Sequence, residues 1–390
     1  MLRAGCCLQA LTALAITLPP AGAWAQASLD GLLEPVRRRY GLPALAAAVV
    51  VRGEVVALGA VGTRRSDAQI PVTVHDRFHL GSCTKAMTAL LTAIAVERGL
   101  LRWDSTLAEL FPELRATMSP AMAGVTVRQL LSHSSGIDDA SFEASFRRAE
   151  QLESINLDGQ RAQMAREVLQ QPLSSPPASR FQYSNVNYML VGTILERLYQ
   201  RSWEELIQEQ LFAPLALAGA GLGPQSSVGL TDAPLGHRRE GARFKPMLAG
   251  PNADNPLLIG PAGTVHMGLL GAARWAGWNA AQGRIGPALV TPASLRLLHS
   301  PVIDEDPDQP SGGSYALGWG VGKPAWAPWP LLTHDGSNTM NLARLRVDPR
   351  REWALVLLTN AAGPQAVQAF SELEPLLYRR FGLPAAAEAR

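Results

Sequence analysis

Ser82 and Lys85 are the residues of this chain whose types and spacing most directly suggest chemistry. The chain contains 32 arginines but only three lysines, and Lys85 lies three residues after Ser82 in a nearly uncharged stretch. A desolvated lysine can lose its proton whereas an arginine cannot, and residues three apart share one face of a helix. The pair therefore predicts a serine hydroxyl that a neighbouring lysine amine activates for attack on a carbonyl carbon.

A Ser-x-x-Lys pair is weak evidence alone, and the motifs around it supply the rest. The motifs follow one another along the chain at residues 78–85, 126–137, 181–185, 317–320 and 334–337. In order and residue type they resemble the penicillin-recognising serine hydrolases, in the branch that holds class C β-lactamases, DD-peptidases and related esterases. The resemblance covers residues 30–380 of the chain.

This resemblance implies roles for four residues. Ser82 would form an acyl-enzyme, and Lys85 would take its proton or set the electrostatics of the site. Tyr183 would carry a proton to the leaving group and later from the attacking water, which requires a cation such as Lys85 or His334 to favour its phenolate form. Asn185 would hold Lys85 and the amide or ester oxygen of the substrate by hydrogen bonds.

The resemblance also assigns the motif at 334–337. His334 lies where β-lactamases of this branch have the lysine of a Lys-Thr-Gly strand. Gly336 would let the strand backbone approach the substrate, and the backbone N–H groups of Ser82 and Ser337 would form the oxyanion hole. Trp319 is either a wall of the acyl pocket or a core tryptophan between two glycines.

Asp335 stands where that strand motif has threonine, and two orientations of its side chain are open. If the carboxylate is ionised and faces the site, it repels substrates that carry a carboxylate there, which favours neutral esters or amine-bearing substrates. If Asp335 turns outward, as alternation along a strand allows, it pairs with an arginine. The sequence favours neither orientation.

The first 25 residues are typical of an export signal. Arg3 precedes an apolar stretch at 11–18, and Ala-Trp-Ala at 23–25 has the small residues of a cleavage site. The stretch is shorter than the roughly 20 residues that a membrane-spanning helix needs, which argues against an anchor. We therefore expect a periplasmic or secreted protein without a stable membrane anchor. Cleavage would leave Cys83 as its only cysteine, so no intrachain disulfide could form.

Helical and β-prone patterns divide the chain into parts. Helical spacing occurs at 28–40, 82–98, 127–132, 160–170, 186–200, 202–211 and 367–380, and β-prone runs at 45–51, 54–61, 315–321, 331–334, 340–347 and 353–360. Strands near both chain ends predict an α+β fold, an α/β/α sandwich with an antiparallel sheet formed by the two ends and flanked by helices. Its sheet-containing part is 26–80 with 300–390, its mostly helical insertion is 81–299, and together they form one catalytic unit over 28–385.

The composition limits the classes of partner. The formal net charge is +2 and no basic block is present, so nucleic acid is not expected as a partner. His75 and His79 lack a third ligand and are expected near the surface, so neither a metal site nor a cofactor is predicted. The expected partner is a small-molecule or peptide substrate, and the oligomeric state stays open.

Three functions are compatible with these motifs. The leading interpretation is an exported serine hydrolase that acts on ester or amide bonds. A class C-type β-lactamase is a narrower alternative, and a penicillin-binding receptor that is acylated once without turnover is an alternative of a different class. All of the residues to which the resemblance gives a catalytic role are present together, which favours a working enzyme. They are Ser82, Lys85, Tyr183, Asn185 and His334.

Overall fold

A large mixed β-sheet lies at the centre of the fold. The computed structural model describes residues 26–140, 156–241, 243–306, 308 and 312–382, and the predicted export signal lies outside them. The strands in these ranges are β1 (Ala27–Ser28), β2 (Ala44–Val51), β3 (Glu54–Gly62), β4 (Arg77–His79), β5 (Gly221–Leu222), β6 (His237–Glu240), β7 (Arg243–Pro246), β8 (Val265–Gly268), β9 (Ile303–Asp304), β10 (Ser314–Tyr315), β11 (Gly320–Gly322), β12 (Leu331–Ser337), β13 (Leu342–Asp348) and β14 (Trp353–Thr359).

The large sheet joins the two ends of the chain, as the sequence predicted. Its nine strands have the order β1, β3, β2, β14, β13, β12, β11, β10, β9, with β14 antiparallel to β2. The prediction of a purely antiparallel sheet is wrong at one edge, where β1 pairs with β3 in parallel. The single strand predicted at 315–321 is divided into β10 and β11 by a turn, in which the N–H of Ala316 donates to the carbonyl of Trp319 and Gly318 has a φ of 83°.

The helices lie on both sides of this sheet, and most of them come from the middle of the sequence. They are α1 (Asp30–Arg39), α2 (Thr84–Glu97), α3 (Leu107–Leu110), α4 (Pro120–Ala123), α5 (Val127–Leu131), α6 (Leu157–Leu169), α7 (Asn185–Tyr199), α8 (Trp203–Ile207), α9 (Gly260–Gly263), α10 (Leu269–Ala280), α11 (Pro292–Leu298) and α12 (Pro364–Phe381). Short 3₁₀ turns lie at Gly81–Cys83, Pro112–Thr117, Pro251–Ala253 and Leu257–Ile259, and a π turn lies at Gln208–Phe212. Among the described residues, no helix is both long and apolar enough to span a bilayer.

Segment 81–299 is less uniformly helical than its pattern indicates. It also carries β5 to β8. Strand β8 pairs with both β4 and β5 in a small three-stranded sheet, while β6 and β7 form a hairpin. None of these strands exceeds four residues, so they are too short for an alternating pattern to reveal them.

Alternation along the central strands sends apolar side chains into two cores. Val49 and Leu355 face the side covered by α1 and α12, whereas Val50 and Val356 face the other side. There α10 packs directly on the sheet, because a Cβ added to Gly277 would lie 2.8 Å from Val50 Cγ1. The sheet therefore lies between two helical layers, which is the α/β/α arrangement predicted from the sequence.

Helix α2 runs through the larger core and positions the two residues with which the sequence analysis began. Every residue of α2 from Thr84 to Ala95 is buried, as expected for a helix that is apolar nearly all round. The 3₁₀ turn containing Ser82 leads directly into this helix, and Lys85 lies in its first turn. The turn and the buried helix thus hold Ser82 and Lys85 beside each other.

Candidate active site

Ser82 lies in a tight turn held against the end of β12. Thr84 Oγ1 donates a hydrogen bond to the Gly81 carbonyl at 2.7 Å, and Gly81 has a φ of 49°, in the left-handed region that favours glycine. A Cβ on Gly81 would lie 2.3 Å from the backbone nitrogen of Ser337. Ser82 itself is only partly buried, so its hydroxyl is held firmly but stays accessible.

Gly336 packs closely against the turn that carries Ser82. A Cβ at this position would lie 1.9 Å from the Leu80 carbonyl oxygen and 2.7 Å from the Ser82 nitrogen. Glycine is therefore needed here because β12 packs against the turn of Ser82, a reason that adds to the approach of substrate expected from the motif. This packing places the backbone nitrogens of Ser82 and Ser337 at the same junction between β12 and the turn.

Lys85 is completely buried and its amine has three close neighbours. Its Nζ lies 2.8 Å from Asn185 Oδ1, 2.9 Å from the Ala262 carbonyl oxygen and 3.2 Å from Ser82 Oγ. Burial lowers the pKa of Lys85 from its ordinary value of 10.5 to about 7, with the Asp139 carboxylate acting in the opposite direction. A substantial fraction of Lys85 is therefore uncharged near neutral pH.

Tyr183 lies over the amine of Lys85 at the mouth of the site. The centre of its ring is 4.7 Å from Lys85 Nζ, and the Ser82 side chain lies near its hydroxyl. The residue is 40% exposed, but burial of its hydroxyl raises the pKa of Tyr183 above its ordinary value of 10. Tyr183 is therefore a neutral phenol here, and the expected phenolate is not favoured.

His334 is buried on β12 and both of its ring nitrogens have partners. Nε2 lies 2.9 Å from the hydroxyl of Tyr315, and Nδ1 lies 2.8 Å from the backbone carbonyl oxygen of Asp335. Burial lowers the pKa of His334 to about 4. The imidazole is therefore neutral at neutral pH, so it does not supply the cation that the sequence analysis considered for Tyr183.

Asp335 points away from the active site. Its carboxylate forms ion pairs with Arg344 at 2.6 Å and with Arg346 at 2.9 Å, both on β13. Neighbouring side chains on a strand point to opposite faces, so the inward position of His334 fixes the outward position of Asp335. Of the two orientations considered from the sequence, the one facing the site is wrong, and so is the repulsion of carboxylate substrates inferred from it.

Trp319 belongs to the core. It is 1% exposed, its ring is stacked on Trp275 with 6.5 Å between the ring centres, and the His299 ring meets it edge-on at 6.1 Å. Of the two roles considered from the sequence, the structure supports the core residue, and Trp319 does not line an acyl pocket.

Two residues that the sequence analysis did not single out complete the surroundings of Lys85. The carbonyl of Ala262 accepts a hydrogen bond from the amine, and Asp139 accepts one from Asn185 Nδ2 at 2.8 Å. Every residue has a backbone carbonyl, so the sequence could not indicate that the carbonyl of Ala262 contacts Lys85. Asp139 follows the motif at 126–137 by two residues, and that proximity was the only available signal.

His133 holds the motif at 181–185 in place. Its Nδ1 accepts a hydrogen bond from the Ser184 backbone N–H at 3.1 Å, and its carbonyl accepts one from the Gln182 N–H at 2.7 Å. The His133 ring also packs on the ring of Tyr183, with 4.3 Å between the ring centres. These contacts fix the direction in which Tyr183 enters the site.

His79 is buried, so the expectation of a surface position is wrong for it, whereas His75 is exposed. Nδ1 of His79 accepts a hydrogen bond from the Gly81 N–H at 3.0 Å, and Nε2 lies 2.6 Å from Asp254 Oδ1. His79 thus stabilises the turn that carries Ser82. Among the residues with described positions, no cluster of three His, Cys, Asp or Glu side chains could hold a metal ion.

Comparison with known proteins identifies the family. Residues 29–373 match the protein family described as Beta-lactamase. The chain belongs to the Beta-lactamase family. A relative is "Penicillin-binding protein 4" of Amycolatopsis lactamdurans, which is 28% identical over 352 residues, covering 87% of this chain and 86% of that protein.

Several solved structures share the fold of the chain. The D-amino acid amidase of Ochrobactrum anthropi has a TM-score of 0.70 at 20% identity, over 90% of this chain and 98% of the amidase. EstCE1, a hydrolase with promiscuous acyltransferase activity, has a TM-score of 0.70 at 19% identity, over 87% of this chain and 97% of its own. The protein is thus a member of the β-lactamase-fold serine hydrolases, and its own residues must indicate the reaction.

Proposed function

We propose that this protein hydrolyses ester or amide bonds through an acyl-enzyme on Ser82, with Lys85 as the general base. The arrangement around the Lys85 amine carries this proposal. A neutral amine has two N–H groups and one lone pair, and the two oxygens of Asn185 and Ala262 accept the two N–H groups. The lone pair is then left for the Ser82 hydroxyl, 3.2 Å away.

Acylation follows from this geometry. The proton of Ser82 moves to Lys85 while Oγ bonds to the carbonyl carbon, and the backbone N–H groups of Ser82 and Ser337 stabilise the negative oxygen. When the intermediate collapses, the bond to the leaving group breaks, the leaving group takes the proton of Tyr183, and Lys85 returns a proton to Tyr183. Water then attacks the acyl carbon and gives a proton to Lys85 through Tyr183. The bond between the acyl carbon and Ser82 Oγ breaks, the acid product leaves, and Lys85 returns the proton to Oγ.

Uncharged carbonyl substrates fit this site best. His334 occupies the place where the resemblance puts a lysine, but it is neutral and hydrogen-bonded to Tyr315. Arg344 and Arg346 are paired with Asp335 on the other face of the strand. The described part of the site therefore offers no fixed positive charge to hold a substrate carboxylate, which favours neutral esters and amides over β-lactams and D-Ala-D-Ala peptides.

Parallel kinetics and intact mass spectrometry on wild type and Ser82→Ala test this function. We expect turnover of p-nitrophenyl acetate that Ser82→Ala abolishes, with slow reaction on benzylpenicillin and nitrocefin, and a decline of kcat/KM below about pH 7 as Lys85 becomes protonated. A stable penicillin adduct on Ser82 without turnover would indicate a penicillin-binding receptor. Rapid nitrocefin hydrolysis would indicate a β-lactamase, and ester turnover that survives Ser82→Ala would refute the proposal.

We also propose that the protein is exported, with residues 1–25 as the cleaved signal. The support is the order of a basic residue, an apolar stretch and a small-residue cleavage site in the sequence. Expression of the full chain in a bacterium, followed by fractionation and N-terminal sequencing, should give a periplasmic product that starts near Gln26. An uncleaved product in the cytoplasm would contradict export.

A further inference from the structure

Asp139 uses both of its carboxylate oxygens at the start of helix α7. Oδ1 accepts hydrogen bonds from Ser184 Oγ at 2.8 Å and the Val186 N–H at 3.1 Å. Oδ2 accepts hydrogen bonds from the Asn185 N–H at 3.0 Å and from Asn185 Nδ2 at 2.8 Å. A carboxylate in this position caps the helix and is stabilised by the partial positive charge of its N-terminus.

The contact with Nδ2 decides which end of the Asn185 amide faces Lys85. With its amino group held by Asp139, Asn185 turns its carbonyl oxygen to Lys85 Nζ at 2.8 Å. The reversed amide would place donor against donor at Lys85 and acceptor against acceptor at Asp139, and both contacts would be unfavourable. Asp139 therefore determines the hydrogen bond that orients the lysine amine toward Ser82.

We propose that Asp139 is a positioning residue for the reaction, because it fixes the amide of Asn185 and sets the electrostatic environment of the Lys85 amine. It contacts neither substrate nor Ser82 in this role and acts through its neighbours. The inference rests on the proposed function of Lys85 as the base.

The surroundings of Lys85 single out Asp139 as its source of negative charge. The titratable groups facing the amine from the packed elements are Cys83, Asp139, His133, Tyr183, Tyr188 and His334. Burial raises the pKa of the cysteine and of both tyrosines and lowers that of both histidines, so these five are uncharged near neutral pH. Asp139 is the carboxylate in this set, and its charge opposes the effect of burial on Lys85.

Lysine NMR gives a readout that does not depend on turnover. The chain has only three lysines, and the other two, Lys245 and Lys323, are exposed. In a Lys245→Arg, Lys323→Arg background, ¹³C-labelled lysine reports the titration of Lys85 alone. Asp139→Asn keeps the volume of the side chain and a helix-capping oxygen, and we expect it to lower the pKa of Lys85 by about one unit.

The rate profile should move in the same direction. Since loss of the Asp139 charge makes Lys85 easier to deprotonate, the acid limb of kcat/KM for p-nitrophenyl acetate should shift to lower pH by about one unit in Asp139→Asn. Its rate plateau should fall, because the orientation of Asn185 is no longer fixed. A lower plateau with neither shift would mean that Asp139 only caps the helix, and would overturn the proposal.

Two matched variants separate charge from structure. Ser184→Ala removes one hydrogen bond to Asp139 but keeps its charge, so the titration of Lys85 should not change. Asp76→Asn alters another buried carboxylate, one that accepts hydrogen bonds from Thr73 and Arg64, and it should lower thermal stability without moving the Lys85 titration. A shift of equal size in either variant would also overturn the proposal.

The failures of the two proposals can be told apart. Retained acylation in Ser82→Ala refutes the proposed function directly, whatever the NMR titration shows. If Asp139→Asn shifts the NMR titration but not the acid limb of kcat/KM, Lys85 is not the base, and the positioning role of Asp139 fails with it.

Discussion

The buried amine of Lys85 leads to a quantitative prediction about stability. Folded Lys85 has a pKa of about 7 and an unfolded lysine keeps its ordinary value of 10.5, so between these values the unfolded chain binds one more proton. The contribution of Lys85 to the free energy of unfolding is therefore lowest below pH 7 and rises with pH up to about 10.5. Lys85→Met removes this dependence while keeping a side chain of similar length.

The size of the effect follows from the two pKa values. A difference of one bound proton changes the free energy of unfolding by about 1.4 kcal/mol per pH unit. The stability of wild type relative to Lys85→Met should thus increase by about 2.5 kcal/mol between about pH 7.5 and about pH 9.5. The hydrogen bonds to Asn185 and Ala262 that the variant loses lower its stability at both pH values alike, so they do not affect this comparison.

Urea denaturation followed by tryptophan fluorescence at the two pH values measures this difference. Lys245→Met is the matched control, because Lys245 is 62% exposed and its replacement should not change the pH dependence. A difference between wild type and Lys85→Met that stays constant with pH would show that Lys85 keeps its proton in the folded protein. That result would refute the reasoning about the base.

Three further substitutions test contacts along β12. Gly336→Ala should abolish activity and lower thermal stability strongly, because the new Cβ would lie 1.9 Å from the Leu80 carbonyl oxygen; activity and circular dichroism measure both effects. Ser337→Ala should keep kcat within about threefold and lower the free energy of unfolding by about 2 kcal/mol, since the hydroxyl loses its hydrogen bonds to the Asn341 carbonyl and from the Thr339 N–H while the backbone N–H of residue 337 remains. Asp335→Asn should leave kcat/KM unchanged for neutral and carboxylate-bearing esters alike, and a selective gain with the latter would contradict its outward position.

The sequence predicted the parts of the site that depend on local spacing and motif order. Because Ser82 and Lys85 are only three residues apart in a helical segment, their side chains lie together. The motif at 181–185 indicated that Tyr183 and Asn185 also lie beside this lysine. These residues lie on or beside buried helices, where helical periodicity is strong.

Other features depend on long-range register and were beyond the sequence. Asp335 pairs with Arg344 because the two residues are directly opposite each other on β12 and β13, and the sequence does not specify that register. The burial of His79 depends on Asp254, which lies far along the chain and on no recognisable motif. The need for Gly336 likewise appears only when β12 is packed on the turn of Ser82.

The central claim is that an uncharged Lys85 activates Ser82 to form an acyl-enzyme, and a pH series of acid-quenched reactions tests it most directly. Enzyme would be mixed rapidly with p-nitrophenyl acetate and quenched, and the acetylated peptide would be identified and quantified by mass spectrometry. We predict a single acetyl group on Ser82, formed at a rate that rises through about pH 7 and lost in Lys85→Met. Acetylation at another residue, or a rate on Ser82 that is independent of pH and of Lys85, would contradict the account.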